Sequence, residues 1–452
     1  MRAIRLHDTH TGTLAPLVPR DTGPLAKIGI YACGPTVYNR IHIGNARPYV
    51  VFSLLKRLLD HEGYAATLVV NITDVNDKIY EAARAQYVPS QDLADTMAAH
   101  YVADTDRLDL GRPDHEPLAS ASIDAIVDLI AALLERGAAY AVEGDVYFRV
   151  RADEQYGSLS HRQIDDMDQG EGGEGLSRKE DPLDFALWKA QKDGEDTAWD
   201  APWGRGRPGW HIECSAMAES ILGVDFEIHG GGNDLTFPHH ENEAAQTRCG
   251  RGAPLARIWM HNGMLQLGGE KMAKSVGNIA LLPEVLDAHG RDTVIMFFCS
   301  GHYRGPLQLD DSTLADAAAR VRRVREAGRR LVRGASPPWS GLLRETFFAA
   351  LADDFNTPRA LAAVADWVRT ANTADAPVGD ADLRAMLGVL GLANLLDDEG
   401  GAAPAAVLAL ADARQAARTA KDFARSDGLR EAIAAAGWTV RDVSDGYELV
   451  RA

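Results

Sequence analysis

Cysteine is scarce in this chain, which carries only Cys33, Cys214, Cys249 and Cys299 in 452 residues. So few thiols, so widely spaced and without an export signal, exclude a disulfide-stapled fold and leave free thiols or metal ligands. A close Cys-x-x-Cys pair is missing, so no zinc finger is readable. No run of about 18 apolar residues occurs, and no membrane span is expected. The opening Met-Arg-Ala-Ile-Arg-Leu lacks the apolar core of a secretory signal, so the expected compartment is the cytoplasm. Excess positive charge is lacking too, since 47 basic residues face 65 acidic ones for a net charge of −18. That sum does not exclude a polyanionic partner, because binding depends on local patches. Acidic residues crowd Asp165 to Asp200, while Arg320, Arg322, Arg323, Arg325, Arg329, Arg330 and Arg333 form a basic run. Alone, that run is more often a solvated helix face than a nucleic-acid site.

What is present is the balance of a globular protein, 46% hydrophobic and 25% charged, long enough for two to four structural units. Ile28-Gly-Ile-Tyr31 reads as a strand that breaks at Cys33-Gly34-Pro35. A helix is predicted from about Ala46, with Val50, Val51, Leu54, Leu55, Leu58 and Leu59 on one face and Gly63 as its stop. Thr67-Leu-Val-Val70 then reads as a buried strand, which makes a parallel β-α-β unit and an α/β fold. Such sheets bind ligands at the carboxyl ends of their strands. Helical spacing runs from Leu118 to Arg136, followed by a hairpin with Tyr140-Ala-Val142 and Val146-Tyr-Phe-Arg-Val150 as its strands. Residues Gly157 to about Gly209 show no clear period and read as an irregular, partly mobile insertion. Val224-Asp-Phe-Glu-Ile228 is a further strand that ends in a glycine run. The chain is helical in pattern from about Gly305 to Leu396. Asp397 to Gly401 reads as a linker, and a small unit from Ala405 ends in the strand-like runs Thr439-Val440 and Glu448-Leu-Val450.

Three constellations carry chemistry. His42-Ile43-Gly44-Asn45 lies where a strand end gives way to a helix. A helix N-terminus offers free N–H groups and positive potential to phosphates, Gly44 permits close approach, and His42 and Asn45 can donate hydrogen bonds. Lys271-Met272-Ala273-Lys274-Ser275, flanked by Gly268-Gly269 and Gly277-Asn278, places two lysines where they can neutralise a departing pyrophosphate. In isolation, the first is more often a polar loop capping a helix and the second is usually basic surface. The third set is metal-like: Cys33 at a strand end, Cys214 in Trp210-His-Ile-Glu-Cys-Ser, and His239 with Glu243 after Pro238. His239 and Glu243 are four apart and share a helix face, and two thiolates, an imidazole and a carboxylate suit tetrahedral zinc. Spacing alone fits buried cysteines and a capping histidine better than a metal site.

Further stretches are Tyr31-Ala-Cys33-Gly-Pro-Thr-Val-Tyr38, Asn71-Ile-Thr-Asp-Val-Asn-Asp-Lys78, His229-Gly-Gly-Gly-Asn-Asp-Leu235 and Asp353-Asp-Phe-Asn-Thr-Pro358. With the three constellations, and in this order along nearly the whole chain, they resemble the class I aminoacyl-tRNA synthetases, in particular the cysteinyl-tRNA synthetase family. The resemblance implies a Rossmann-like parallel-sheet catalytic domain in two halves, 1–118 and 206–305, split by a connective insertion at 119–205. An α-helical bundle at 306–396 and a small C-terminal α/β anticodon-binding unit at 405–452 complete the expected organisation.

The same resemblance implies that L-cysteine is activated with ATP and passed to tRNA(Cys) by a monomer. One Zn²⁺ would be held by Cys33, Cys214, His239 and Glu243, with Mg²⁺ accompanying ATP. His42, Gly44, Asn45 and Lys274 would contact ATP, with Lys271 beside them. Gly230, Gly231, Gly232 and Asp234 would hold adenosine, and Thr73 and Trp210 would join Cys33 at the amino-acid pocket. Two positions depart from the family: Asn45 stands where histidine is usual, and Ala273 where serine is usual. Both are expected to alter ATP affinity or loop kinetics rather than abolish activity. Two rival readings are a cysteine:amino-sugar ligase of mycothiol synthesis and a non-catalytic tRNA- or zinc-binding paralogue. Arg425, Asp427, Arg430 and Trp438 are candidate anticodon contacts, or equally an amphipathic helix with a packing tryptophan.

Overall fold

Alternation in Lys27–Ala32 buries both faces of one strand: Ile28, Ile30 and Ala32 join one apolar cluster, while Tyr31 and the following Cys33 join another. A strand covered on both sides belongs to a parallel sheet. The computed structural model shows that sheet, and it describes residues 2–21, 26–167, 176–267, 270–271, 280–397, 404–443 and 446–451. Two compact units divide the chain, Met1–Leu396 and Asp397–Ala452.

In the first unit, a ribbon of β1 (Arg5–Asp8) and β2 (Thr13–Pro16) precedes β3 (Lys27–Ala32), α1 (Ile43–His61) and β4 (Ala65–Val70). Helices α2 (Asp77–Gln86), α3 (Ser90–Asp106) and α4 (Ile123–Glu135) lead to β5 (Ala139–Val142), β6 (Asp145–Phe148), β7 (Phe185–Ala190) and β8 (Gly206–Pro208). Next come α5 (Trp210–Leu222), β9 (Phe226–Gly232), α6 (Glu241–Arg251) and β10 (Ala256–Asn262). Short strands β11 (Leu265–Leu267) and β12 (Glu270–Lys271) precede α7 (Leu282–His289), α8 (Arg291–Ser300) and β13 (Leu307–Leu309). The unit closes with α9 (Asp311–Gly328), α10 (Ser340–Ala352), α11 (Thr357–Asn372) and α12 (Ala381–Val389).

The central sheet has the order β10-β9-β3-β4, and every pair in it is parallel. The chain steps from β3 to β4 on one side and from β9 to β10 on the other. The switch point therefore falls between β3 and β9, where open α/β sheets bind ligands. Helix α1 buries Val50, Val51, Leu54, Leu55, Leu58 and Leu59, each side chain contributing about 1.5–3 kcal/mol. Helices α9 to α12 share that core, since Phe347, Trp367 and Leu387 join one apolar cluster with Ile28 and Leu54.

Two local expectations change. Residues 157–209 are not irregular throughout: β7 and β8 extend the β5–β6 hairpin into a four-stranded antiparallel sheet. Phe185-Ala-Leu-Trp188 is too short to show a period, and its pairing partners lie far away in sequence. The strand expected at 224–228 instead runs Phe226–Gly232 and absorbs the glycines. Glycine weakens an isolated strand, but flanking strands supply the hydrogen bonds here.

The second unit comprises α13 (Ala405–Thr419), α14 (Phe423–Ala435), β14 (Trp438–Val443) and β15 (Gly446–Arg451). Its strands pair as an antiparallel hairpin over Val407, Ala411, Ile433 and Val440. Trp438 packs against that cluster, whereas Arg425, Asp427 and Arg430 are exposed.

Candidate active site and metal centre

At the switch point a cleft of ≈ 330 Å³ opens, lined among others by Cys33, His42, Gly44, Asn45, Trp210, Gly232 and Asp234. Helix α1 begins at Ile43, three residues earlier than its apolar pattern indicates, so His42 is its N-cap and Gly44 and Asn45 lie in its first turn. The His42 N–H donates to Asn45 Oδ1 at 3.2 Å. Asparagine here caps the helix that faces the cleft, a task its amide performs without a charge.

Beside the cleft lies a buried donor cluster. Ligand atoms of Cys33, Cys214, His239 and Glu243 all lie within 4.8 Å of one another. His239 Nε2 is 3.1 Å from Glu243 Oε1, and the Cys33 thiol reaches the same oxygen at 3.5 Å. Cys33 directly follows β3, helix α5 carries Cys214, His239 lies in the turn before α6 and Glu243 in the first turn of α6. The Nδ1 atoms of His211 and His239 meet at 3.0 Å, which turns His239 Nε2 toward the cluster. Trp210 stacks on His239 with ring centroids 4.4 Å apart, covering the cluster on the cleft side.

Burial and the neighbouring Cys214 push the Cys33 thiol well up, whereas the hydrogen bond from Cys33 draws Cys214 down to about 6. Burial opposes charge on His239, but Glu243 and the Cys214 sulfur outweigh it, so this imidazole titrates above its ordinary range. Two sulfurs, one nitrogen and one carboxylate oxygen in a dry pocket fit a tetrahedral zinc ion. Protons compete with metal for these donors: at neutral pH Cys33 and part of His239 must lose theirs on binding. Metal affinity should therefore rise as pH rises from 6 to 8, by about tenfold or more per unit. Competition against a chelator at several pH values measures this, and a flat profile would contradict the assignment.

Sequence reasoning missed a second donor combination, Cys33, His229, His240 and Glu243. His229 Nε2 lies 3.3 Å from Glu243 Oε2, and His240 Nδ1 is 2.7 Å from His261 Nε2. Burial and neighbouring imidazoles hold His240 far down and His261 at about 3, so both are neutral. His229 and His261 lie in the neighbouring strands β9 and β10 and His240 in the turn before α6, so only their histidine identity was available as a signal. Also missed were Asn262, Gly263, Met264 and Leu265, which line the same cleft.

Thr73 is buried beside Thr36 and accepts from Asn71 Nδ2 at 3.1 Å, behind the cleft residues rather than among them. Gly230 and Gly231 lie in β9 and bring its end against Met260 and His261 of β10. Lys271 pairs with Gln266 through β12 and β11. Lys274, Ala273 and the flanking glycines 268, 269 and 277 lie outside the described residues. On α9, Arg320, Arg322 and Arg323 are exposed, and Arg325 pairs with Asp292 at 2.6 Å.

A parallel sheet with a phosphate-ready helix start on one side of its switch point and a thiol-histidine cluster on the other defines a class I aminoacyl-tRNA synthetase. The profile described as "tRNA synthetases class I (C) catalytic domain" matches residues 21–319, a DALR domain matches 346–396, and a "Cysteinyl-tRNA ligase anticodon binding domain" matches 401–448. The chain is 42% identical to the cysteine–tRNA ligase of Brevibacillus brevis, with 98% of each chain covered, and 43% identical to that of Chromohalobacter salexigens, again 98% of each. It belongs to the cysteine–tRNA ligase family. In fold it is similar to the methionyl-tRNA synthetase of Mycobacterium tuberculosis with methionyl-adenylate (TM-score 0.59, 17% identity, 82% of this chain and 90% of that one). It is likewise similar to the LeuRS of Agrobacterium radiobacter in a ternary complex (TM-score 0.63, 11% identity, 85% and 86%).

The chain is thus an aminoacyl-tRNA ligase, and its family uses ATP, cysteine and tRNA. The match at 401–448 goes against the amino-sugar ligase. Among the described residues no helix is long and apolar enough to cross a membrane.

Proposed function

We propose that this protein activates L-cysteine with ATP as cysteinyl-adenylate and passes it to the 3′-terminal ribose of tRNA(Cys), working as a cytoplasmic monomer. The carrying observation is the convergence of Cys33, Cys214, His239 and Glu243 beside a cleft closed on one flank by the start of α1. A zinc ion held by those four residues supplies a thiolate-selective Lewis acid, which favours a thiol over a hydroxyl by about 10⁴-fold or more.

The remaining work falls to the chain's own groups. Trp210 shields the cluster and Thr73 braces the loop beneath it, so the substrate carboxylate is held toward the nucleotide. His42, Gly44 and Asn45 present the positive end of α1 to the ATP phosphates, accompanied by Mg²⁺. Gly230, Gly231, Gly232 and Asp234 provide the adenosine side. The carboxylate oxygen forms its bond to the α-phosphorus as pyrophosphate leaves, and Lys271 and Lys274 neutralise the departing charge. A terminal ribose hydroxyl of tRNA then attacks the acyl carbon, and AMP departs. The four free cysteines suit a reducing compartment.

Cysteine-dependent ATP–pyrophosphate exchange, with serine as competitor, tests the first half, and charging of a tRNA(Cys) transcript tests the second. Exchange with cysteine alone, followed by charging, is expected. Exchange without charging would favour the amino-sugar ligase, and no exchange by zinc-loaded protein would favour the non-catalytic paralogue.

A further inference from the structure

Arg47 is a fully buried cation, 1% exposed, in the first turns of α1. Among the described residues its guanidinium meets no carboxylate. It donates instead to four backbone carbonyls, with Nη1 on Gly263 and Met264 and Nη2 on His302 at 3.1 Å and Gly305 at 2.9 Å. Desolvation draws its pKa down to about 10, so it remains charged at neutral pH. A buried charge satisfied only by carbonyl dipoles is a costly arrangement, and an apolar side chain would fill the same space more cheaply.

What it binds gives it a use. Gly263 and Met264 line the same cleft as His42, Gly44 and Asn45, so one side chain of the helix that starts at this cleft holds another of its lining segments. The second pair of acceptors belongs to the turn before β13, which is parallel to β11. The Gly263 N–H donates to the Tyr303 carbonyl at 2.8 Å, and a β carbon on Gly263 would lie 2.1 Å from the Gly305 oxygen. Only glycine allows that approach, and Arg47 spans the two touching segments. The turn is clamped from outside as well: Asp354 accepts from the Tyr303 hydroxyl at 2.7 Å and from Arg304 Nε at 2.8 Å. Ile43 N–H donates to the Ala280 carbonyl at 2.9 Å, and Leu282 N–H to that of Ile41 at 3.1 Å, tying the start of α1 to the segment entering α7.

We infer that Arg47 is a positioning residue for the nucleotide, fixing the distance between the phosphate-binding start of α1 and the Gly263–Met264 wall. This rests on the cleft being the ATP site, as proposed above. Lysine can keep the charge and one carbonyl pair but cannot span both, because its donors radiate from a single nitrogen. The planar fork is the point.

The test compares Arg47→Lys and Arg47→Met with the unaltered full-length protein in cysteine-dependent ATP–pyrophosphate exchange, with metal content and calorimetric ATP binding measured alongside. Both variants should raise the KM and the binding constant for ATP by about tenfold or more, with methionine the worse, because small displacements of a binding wall are costly. The KM for cysteine and the bound metal should stay within about twofold, because the thiol cluster is carried by Cys33, α5 and the start of α6, none of which accepts a hydrogen bond from Arg47. An unchanged ATP KM in Arg47→Lys would overturn the inference. So would a parallel loss for ATP, cysteine and metal, which marks a merely structural role. If Arg47→Met does not fold, the lysine variant decides alone. Absence of exchange in the unaltered protein would instead sink the reading of the cleft.

Discussion

Cys214→Ala should leave the purified protein with little bound metal and lower cysteine-dependent exchange by about a hundredfold or more, since even outer partners of metal sites cost 10–100-fold. Cys214 is 1% exposed on α5 and is the thiol of the pair drawn toward the thiolate, so it carries the ready-made charge of the cluster. Its loss leaves Cys33, His239 and Glu243, one donor short of a closed tetrahedron. The volume change is one sulfur, so the circular dichroism spectrum should be preserved. Metal analysis and exchange assays on the same preparation decide the matter. Full metal content in the variant would hand the site to the alternative set of Cys33, His229, His240 and Glu243, which retains all its donors.

Gly230→Ala should be nearly as damaging for a steric reason. A β carbon there would lie 2.2 Å from the Met260 carbonyl oxygen and 2.3 Å from the Phe52 ring. Neither neighbour has room to give, because Phe52 and Met260 are fully buried and Met260 is in the adjacent strand. The carbonyl of Gly230 also accepts the Cys33 N–H at 2.9 Å, so a displaced β9 moves a metal donor with it. Exchange should fall by at least about a hundredfold, the scale expected when reacting groups shift by roughly 1 Å. Gly341→Ala, on α10 with nothing within 4 Å of the added carbon, should leave exchange unchanged and is the matched control. Wild-type exchange in Gly230→Ala would show that the sheet end is far more compliant than its contacts indicate.

The legible parts of the site were those with a local cause. A strand break followed by helical spacing marked His42 to Asn45, although the capping bond between His42 and Asn45 moves the helix start to Ile43. His239 and Glu243 were readable as a pair because one helical turn separates them. Cys33 and Cys214 were not readable as partners from spacing, since they are 181 positions apart (214 − 33). Their membership came from resemblance, and the fold supplies the proximity. Nothing local marks Arg47 either, because its acceptors are backbone carbonyls, which have no sequence signature.

By itself the sequence determined the parallel β-α-β opening, the helix start poised for phosphates, the scarcity of thiols and the family to which the chain belongs. The first three depend on periodicity, capping chemistry and composition, which act over a few residues or are summed over all of them, while the family was carried by the resemblance of motifs in order along the chain. Tertiary structure alone decided that β7 and β8 would complete a sheet, that His229 and His240 would face Glu243, and that Cys33 and Cys214 would differ in protonation. The reason is that pairing partners, burial and local dielectric are properties of what the rest of the chain places nearby.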